Sequence, residues 1–371
     1  MNLYWIGARQ WDIINNDMFS GSITRYGIDN GFNSSFCNNN YTKNYSEFVS
    51  TALHNILSID KEAFFLFANE KNAYKFGKNI FDKSICVNQL YILESMNDKI
   101  FTRNFFSDCI KTPNSILIDS SSCMNYKFIC EIFDNKYSSF VLQEAKGAGG
   151  LKNYFLSQDY MPNSLPNSSY VLVTPYFKEK LTINVHIISD GKDYRILPPS
   201  VQITLNKFKY SGSDFIAYSN LPLKIKCNVF SCASKIAQKA ISIGAKGIFG
   251  VDLIILEDNV LFLECNYRYQ GSSFLLNKGL ITAGYPSLFK LRYDSFYDSL
   301  NDVPKDIYYA NIPLSSFRRT KWNEQINLPS PLEIVAVNNS NFASNDDYVR
   351  YEVFNKNIIQ SIEKQEVQNL Y

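Results

Sequence analysis

The sequence feature that most constrains the fold lies within residues 247–273, where two apolar runs, 251–256 and 260–263, flank the polar residues 257–259. This pattern predicts a β-hairpin with a three-residue loop. A loop centred on its middle residue places Asp252 directly opposite Glu264, so two carboxylates face each other across the strands. The other opposed pairs that it predicts are Ile254 with Phe262 and Leu256 with Val260.

Side chains alternate between the two faces of a strand, so Asn266 and Arg268 are expected on the face of Glu264. Opposed carboxylates repel each other, and a cation between them would remove the repulsion. Carboxylate and amide oxygens beside an arginine suit Mg²⁺ shared with nucleotide phosphates. A solvent-facing hairpin with acidic ends explains the pattern equally well, and a two-residue loop would shift the register and separate the acids.

Composition and residue usage exclude several classes of protein. The 371 residues include 37 basic and 35 acidic side chains, a net charge of +2, so nucleic acid is not expected as a partner. No apolar run approaches the ~20 residues of a membrane helix, so no membrane partner is expected. The eight cysteines form no CxxC pair, only two histidines occur, and no signal-peptide pattern is present. We expect a cytoplasmic protein without a zinc site or a histidine-dependent catalytic triad.

The first part of the chain alternates predicted strands at 3–7 and 63–68 with a predicted helix at 46–57, which indicates an α/β lobe. Residues 228–243 predict an amphipathic helix with Asn228 as its cap.

Residues 94–113 predict a helix that begins after Asn97 or Asp98 and ends before Pro113. Lys99 then lies in the first turn, where the positive end of the helix dipole repels a cation. A bound anion would remove this conflict, whereas an exposed lysine at that position would be tolerated at small cost.

A glycine-rich segment at 144–153 connects predicted strands at 140–143 and 154–157. Its glycines allow backbone amides to wrap around an anion, and its lysines add positive charge. These residues are Gly147, Gly149, Gly150, Lys146 and Lys152. The segment is not a Walker A motif, and a plain hairpin turn explains it as well.

A predicted strand at 170–173 leads into a stiff aromatic connector, Thr174, Pro175, Tyr176 and Phe177, of the kind that lines an adenine ring. The next predicted strand, 181–188, places Thr182, Asn184 and His186 on one face. A half-exposed strand with polar outward positions accounts for that face equally well.

In this order the motifs resemble the ATP-grasp superfamily, specifically the branch that includes the biotin-carboxylase type of domain. The resemblance covers residues 95–285. It implies an α/β (α+β) fold class with an N-terminal α/β pre-ATP-grasp domain at 1–94 and an ATP-grasp domain at 95–290. The latter would contain a small lid subdomain at about 112–174 and a larger antiparallel-sheet subdomain, with a C-terminal extension at 291–371 packed on the core.

The resemblance also implies roles for individual residues. The nucleotide-binding residues that it implies are Lys99, Gln143, Lys146, Gly147, Gly149, Gly150, Thr174, Tyr176, Phe177, Asn184 and Gln202. The implied metal ligands are Asp252, Glu264 and Asn266, which would hold two Mg²⁺ ions, and the implied catalytic residues are Arg268 and Lys207. Gln143 stands where many members have a lysine that binds ATP, so Lys146 or the loop amides are expected to make that contact. Ser272 stands where carboxylases have the glutamate that deprotonates bicarbonate, which disfavours carboxylation.

The implied activity is an ATP- and Mg²⁺-dependent ligase that joins a small-molecule or peptide carboxylate to an amine through an acyl phosphate. A homodimer is the default expectation for its assembly. Two alternatives use the same fold: a kinase or phosphotransferase, and a nucleotide-binding protein without turnover.

Overall fold

The computed structural model describes residues 2–13, 17–26, 36–37, 45–123, 125–147, 152–162, 166–178, 180–205, 208–319, 332–337 and 349–354. The strands are β1 (Asn2–Arg9), β2 (Gly21–Tyr26), β3 (Phe36–Cys37), β4 (Ala63–Phe67), β5 (Ile116–Asp119), β6 (Ser139–Gln143), β7 (Asn153–Ser157), β8 (Tyr170–Pro175), β9 (Leu181–Ser189), β10 (Tyr194–Ile196), β11 (Ser200–Leu205), β12 (Lys209–Asp214), β13 (Gly247–Leu256), β14 (Asn259–Asn266), β15 (Leu314–Arg319), β16 (Leu332–Val337) and β17 (Val349–Phe354).

The α-helices are α1 (Tyr45–Ile59), α2 (Lys78–Asp82), α3 (Leu90–Met96), α4 (Lys99–Phe106), α5 (Tyr126–Ile132), α6 (Phe215–Ser219), α7 (Leu223–Ser242), α8 (Ser273–Thr282) and α9 (Leu288–Tyr297). Short 3₁₀ helices cover Gln10–Ile13, Glu70–Lys75 and Lys305–Tyr309. Within the described ranges, no helix is both long enough and apolar enough to cross a membrane.

Strand pairing in the described residues gives three sheets. The first is parallel, in the order β3-β2-β1-β4. The second is antiparallel, in the order β5-β8-β6-β7. The third is a large antiparallel sheet in the order β14-β13-β9-β11-β12-β15-β17-β16, with β10 paired to β9. The predicted α/β fold class with a large antiparallel sheet is confirmed.

The predicted strand–helix–strand alternation near the N-terminus is also confirmed, by β1, α1 and β4. The helix predicted at 228–243 begins earlier than expected, because α7 starts at Leu223 directly after Pro222 and Asn228 lies inside it. Buried Ile225 continues the apolar stripe of the helix towards its start, so the prediction that Asn228 caps this helix was wrong. Helix α7 packs against the main sheet and buries one face of it.

The β13–β14 hairpin forms, but its loop contains two residues rather than three. Leu256 pairs with Asn259 and Ile254 pairs with Leu261, so the pairs predicted for Ile254 and Leu256 were wrong. The loop begins at Glu257, which has a left-handed backbone with φ of 55°. An irregularity between Asp252 and Leu253 then leaves Leu263 as an extra residue on β14 and brings Asp252 opposite Glu264. The bulge thus restores the acidic pair that a two-residue loop alone would have separated.

Strand β14 forms one edge of the main sheet. Its outer hydrogen-bonding groups are used by the segment around α4: Phe262 N–H donates to the carbonyl of Lys111 at 2.9 Å, and Arg103 Nε donates to the carbonyl of Leu263 at 3.0 Å. Helix α4 is therefore fixed against the strand that carries Glu264.

Candidate functional site

A cleft opens over the β9, β11, β13 and β14 face of the main sheet and is closed on its other side by β6, β8 and α4. The residues predicted for the site that line it are Gln143, Thr174, Phe177, Asn184, Gln202, Asp252, Glu264, Asn266 and Arg268. These residues lie far apart in the sequence, and the sheet brings them to one surface.

Asp252 and Glu264 lie side by side, and the carboxamide of Asn266 connects them. Asn266 Nδ2 donates to Asp252 Oδ2 at 3.0 Å and to Glu264 Oε1 at 3.2 Å. Its oxygen accepts a hydrogen bond from Arg268 Nη2 at 2.7 Å. The two acids and the amide therefore form one connected group with a guanidinium at its end.

The two carboxyl groups titrate differently because their neighbours differ. Burial, and then the nearby charge of Glu264, raises the pKa of Asp252 to about 7. Burial also acts to raise the pKa of Glu264, but Lys99 and the hydrogen bond from Asn266 outweigh it and lower that pKa. Asp252 therefore takes up a proton more readily than an ordinary aspartate, which relieves the repulsion within the pair.

A second group of amides fixes Asp252 from the floor of the cleft. Asn184 Nδ2 and Gln202 Nε2 each donate to Asp252 Oδ1 at 2.7 Å. Asn184 also donates to Gln270 Oε1 at 2.7 Å, and its own oxygen accepts from Ser272 Oγ at 2.9 Å. This network determines where the Asp252 carboxylate points.

Lys99 is the first residue of α4, where the sequence placed it, and Asp98 caps the helix by accepting from the N–H groups of Ile100 and Phe101, both at 3.0 Å. The lysine is buried, with 5% of its surface exposed, and its Nζ lies 3.0 Å from Glu264 Oε2. The anion that balances its charge in this structure is therefore a residue of the site. The backbone N–H of Lys99 donates to the carbonyl of Ala145 at 2.9 Å, which joins α4 to the start of the glycine-rich segment.

Gln143, at the end of β6, does not reach the acids. Its Oε1 accepts from Arg103 Nη2 at 2.8 Å, and its Nε2 donates to Asn153 at 3.3 Å. Arg103 was not predicted from the sequence, although its spacing of four from Lys99 puts both side chains on one face of α4. That spacing was the available signal.

The glycine-rich segment is described only in part. Lys146 is exposed and Gly147 is partly buried, whereas the predictions for Gly149 and Gly150 lie outside the described residues. Lys152 Nζ pairs with buried Glu144 at 2.7 Å. The prediction for Lys207 also lies outside the described residues.

In the connector after β8, Phe177 and Tyr176 differ in position. Phe177 lines the cleft, while Tyr176 packs edge-on against Phe155 with ring centroids 5.0 Å apart. Tyr176 N–H donates to the carbonyl of Ser139 at 2.9 Å, which ties the connector to β6. Only one of the two predicted aromatic residues therefore faces the cleft.

The donor set is suited to Mg²⁺, which binds one or two carboxylates together with phosphate and water oxygens. The described part of the chain contains no group of three or more His, Cys, Asp or Glu side chains suited to a metal ion. It therefore offers no cluster of the kind that binds a softer metal ion. The Asn266 NH₂ group now lies between the two acids, where a cation would be favoured. Metal ligation by its oxygen requires the carboxamide to turn over and release Arg268.

Comparisons with known proteins place these observations in context. A family model described as an ATP-grasp domain matches residues 96–272. Among solved structures, N5-carboxyaminoimidazole synthetase from Staphylococcus aureus, complexed with ADP, aligns with a TM-score of 0.64 at 13% identity, covering 99% of this chain and 96% of that one. The biotin carboxylase–β,γ-ATP complex from Campylobacter jejuni aligns with a TM-score of 0.64 at 12% identity, covering 99% of this chain and 90% of that one. The biotin carboxylase domain dimer of 2-oxoglutarate carboxylase from Hydrogenobacter thermophilus, in complex with MgADP, ADP and bicarbonate, aligns with a TM-score of 0.66 at 12% identity, covering 95% and 86%. A search of curated protein sequences finds no significant match.

Proposed function

Since residues 96–272 are an ATP-grasp domain, the resemblance inferred from the order of the motifs is confirmed, and we propose that this chain is an ATP-dependent ligase that joins a carboxylate to an amine with release of ADP. The observation that carries the proposal is the connected group of Asp252, Glu264 and Asn266 in the cleft, with Arg268 bound to the amide. Such a group provides two carboxylates that can bind a metal ion and a guanidinium beside them. The solved structures of similar fold include complexes with β,γ-ATP, ADP and MgADP, which supports ATP and Mg²⁺ as ligands here.

The proposed reaction has two steps. An oxygen of the substrate carboxylate attacks the γ-phosphorus of ATP, the bond to the β-phosphate oxygen breaks, and an acyl phosphate and ADP form. The amine then attacks the acyl carbon, the carbon–oxygen bond to phosphate breaks, and an amide, phosphate and a proton are released. Neither step needs a protein nucleophile, because positioning and charge neutralisation carry this chemistry.

The acidic and basic residues of the cleft would have different roles in this reaction. Asp252, Glu264 and Asn266 would hold Mg²⁺, which supplies neutralisation of the phosphate charge. Arg268 would bind the carboxylate and the acyl phosphate through its planar guanidinium group. Lys99 would move from Glu264 to the phosphates once the metal pairs with that acid. Lys207 is proposed on the substrate side by the resemblance alone.

Carboxylation, the activity of the biotin carboxylases of similar fold, is not the function we propose. Ser272 donates its hydroxyl to Asn184 at 2.9 Å and offers no carboxylate base at that position. Substrates are therefore proposed to be a carboxylic acid, an amino acid or a peptide, together with an amine. We also propose a cytoplasmic homodimer, and the mass of the protein in solution by light scattering tests its assembly.

The first experiment is a screen of carboxylic acids and amines, in pairs, for release of ADP in the presence of Mg²⁺, with mass detection of the product. A ligase requires both partners for sustained ADP release and yields a coupled product. ADP release with the acid alone, together with a phosphorylated product, would instead identify a kinase.

The variant Glu264→Gln directly tests the proposed role of Glu264 as a metal ligand. We expect turnover to fall by at least about 100-fold, because the variant removes one of the charges that hold the metal against the phosphates. The matched control is Glu257→Gln, in the exposed loop of the same hairpin, which should leave turnover unchanged. Unchanged ADP release in Glu264→Gln would contradict the proposal.

A further inference from the structure

Arg103 is a buried cation whose charge is not neutralised by a carboxylate at close range. Only 4% of its surface is exposed, and it lines the cleft. Its guanidinium donates to neutral oxygens: the carbonyl of Leu263 at 3.0 Å, Gln143 Oε1 at 2.8 Å and Thr174 Oγ1 at 3.3 Å. Among the described residues, no carboxylate lies within 4.0 Å of it as an ion-pair partner.

Burying such a charge has an energetic cost. Burial lowers the pKa of Arg103 to about 10, and the more distant charge of Glu264 only partly opposes this. The group therefore still carries its charge at neutral pH. A buried charge held only by neutral dipoles is unfavourable unless an anion completes the site.

The position of Arg103 identifies the part of a ligand that it would meet. On one side, Thr174 begins the connector proposed to hold the adenine ring. On the other side, Leu263 directly precedes Glu264, one of the proposed metal ligands. The guanidinium thus lies between the base end and the metal end of the cleft, where the middle of an extended nucleotide would lie.

We propose that Arg103 binds the α- and β-phosphates of ATP. The proposal rests on the nucleotide-binding function proposed above and assigns the phosphate contact that the sequence analysis gave to Lys146 or the loop amides. Of the two lysines of that segment, Lys146 is exposed and Lys152 is paired with Glu144. Arg103 is already buried in the cleft and is held by neutral groups, so it can accept an anion without losing an ion pair.

The test uses calorimetry to measure the binding of ATP, ADP and adenosine to wild type and to Arg103→Gln. Mg²⁺ is present in the measurements with ATP and ADP. We expect Arg103→Gln to bind ATP and ADP about 10- to 100-fold more weakly, because a charge-assisted hydrogen bond to each phosphate is lost. Adenosine affinity should change by less than about twofold, because adenosine has no phosphate. Lys136→Gln, a charge change on the surface of the protein, controls for the loss of one positive charge and should bind all three like wild type.

A second variant separates binding from packing. In Arg103→Gln/Gln143→Lys the positive charge moves to the neighbouring side chain, and we expect affinity for ATP and ADP to return to within about fivefold of wild type. Unfolding without nucleotide is measured for every variant. Arg103→Gln should be no less stable than wild type, because it removes an uncompensated buried charge.

Three results would overturn the assignment of Arg103: unchanged ATP affinity in Arg103→Gln, an equal loss for adenosine, or failure of Gln143→Lys to restore binding in a folded double variant. Failure of the wild type itself to bind ATP with Mg²⁺ is a different result. It would overturn the proposed function, and the role of Arg103 with it.

Discussion

Two buried polar side chains of β9, Asn184 and His186, form hydrogen bonds beneath the cleft. Asn184 donates to Asp252 and Gln270 and accepts from Ser272. His186 Nε2 lies 2.8 Å from Ser273 Oγ, which itself accepts from the backbone N–H of Gln270 at 2.7 Å. His186 and Ser273 therefore share a buried hydrogen bond beside the backbone of Gln270. Replacing either β9 side chain would disturb the loop that leads from the hairpin into α8.

The histidine gives a pH dependence that can be measured. Burial lowers the pKa of His186 to about 3, compared with 6.5 for an ordinary histidine. Because the unfolded chain binds this proton more readily, its contribution to stability is complete above pH 6.5 and is lost as pH falls towards 3. We predict that, between pH 6.5 and pH 3, protonation of His186 lowers the free energy of unfolding by up to about 1.4 kcal/mol for each unit by which the pH falls.

Urea unfolding of wild type and His186→Gln between pH 5 and pH 8 checks this prediction. The stability difference between the two proteins should shrink as pH falls. The control is His54→Gln, since His54 is exposed and is the other of the two histidines in the chain. A pH slope that survives in His186→Gln and disappears in His54→Gln would contradict the assignment.

Among the elements, α4 contributes two buried cations to the site, Lys99 and Arg103. Its cap, Asp98, sets the start of the helix, and Lys99 and Arg103 then lie one turn apart on the buried side. The same helix contacts β14 through Arg103 and the glycine-rich segment through the backbone of Lys99. A displacement of its first turn would move both cations together.

We predict that Asp98→Ala lowers the free energy of unfolding by about 1 kcal/mol, because two backbone N–H groups lose their acceptor. ATP affinity should fall as well, since Lys99 follows the cap directly. Asp98→Asn should retain most of both properties, because asparagine caps helices as well as aspartate does. Chemical denaturation and calorimetry measure the two effects. An equal loss in both variants would show that charge, rather than capping, matters at this position.

The elements also show what the sequence could and could not predict. Alternation along a strand is local, so the shared face of Asp252, Glu264 and Asn266 was predictable. The two-residue loop and the bulge at Leu263 were not, because they depend on pairing across the hairpin and cancel each other in register. Arg103 was missed because its burial arises from β6, β8 and β14 together. The start of α7 was misplaced because an asparagine inside a helix resembles a cap.

At the scale of the whole molecule, a buried ion pair joins three parts of the chain. Arg292 of α9 donates to the carbonyls of Phe67 and Cys86 at 2.8 and 2.9 Å and lies 3.3 Å from Glu70 Oε1. The other oxygen of Glu70 accepts from both nitrogens of Asn88. Asn88 in turn donates to the carbonyl of Lys246, directly before β13. The N-terminal sheet, α9 and the β13–β14 hairpin are thereby linked.

We predict that Arg292→Met destabilises the protein by about 3–5 kcal/mol, because Glu70 is left as an unpaired buried charge. Glu70→Leu combined with Arg292→Met should cost less than the sum of the single changes, since the double variant leaves neither charge behind. Urea unfolding of the four proteins gives the coupling energy. Strictly additive losses would show that the pair acts only through its separate hydrogen bonds.

The position of β14 at the border of the main sheet has a consequence for solubility. Exposed border strands invite intermolecular β-pairing and amyloid-like aggregation, and proteins often cover them. Here the Phe262 amide and the Leu263 carbonyl are already bonded to Lys111 and Arg103. The strand that bears Glu264 is thus shielded at its centre from pairing with a strand of another molecule.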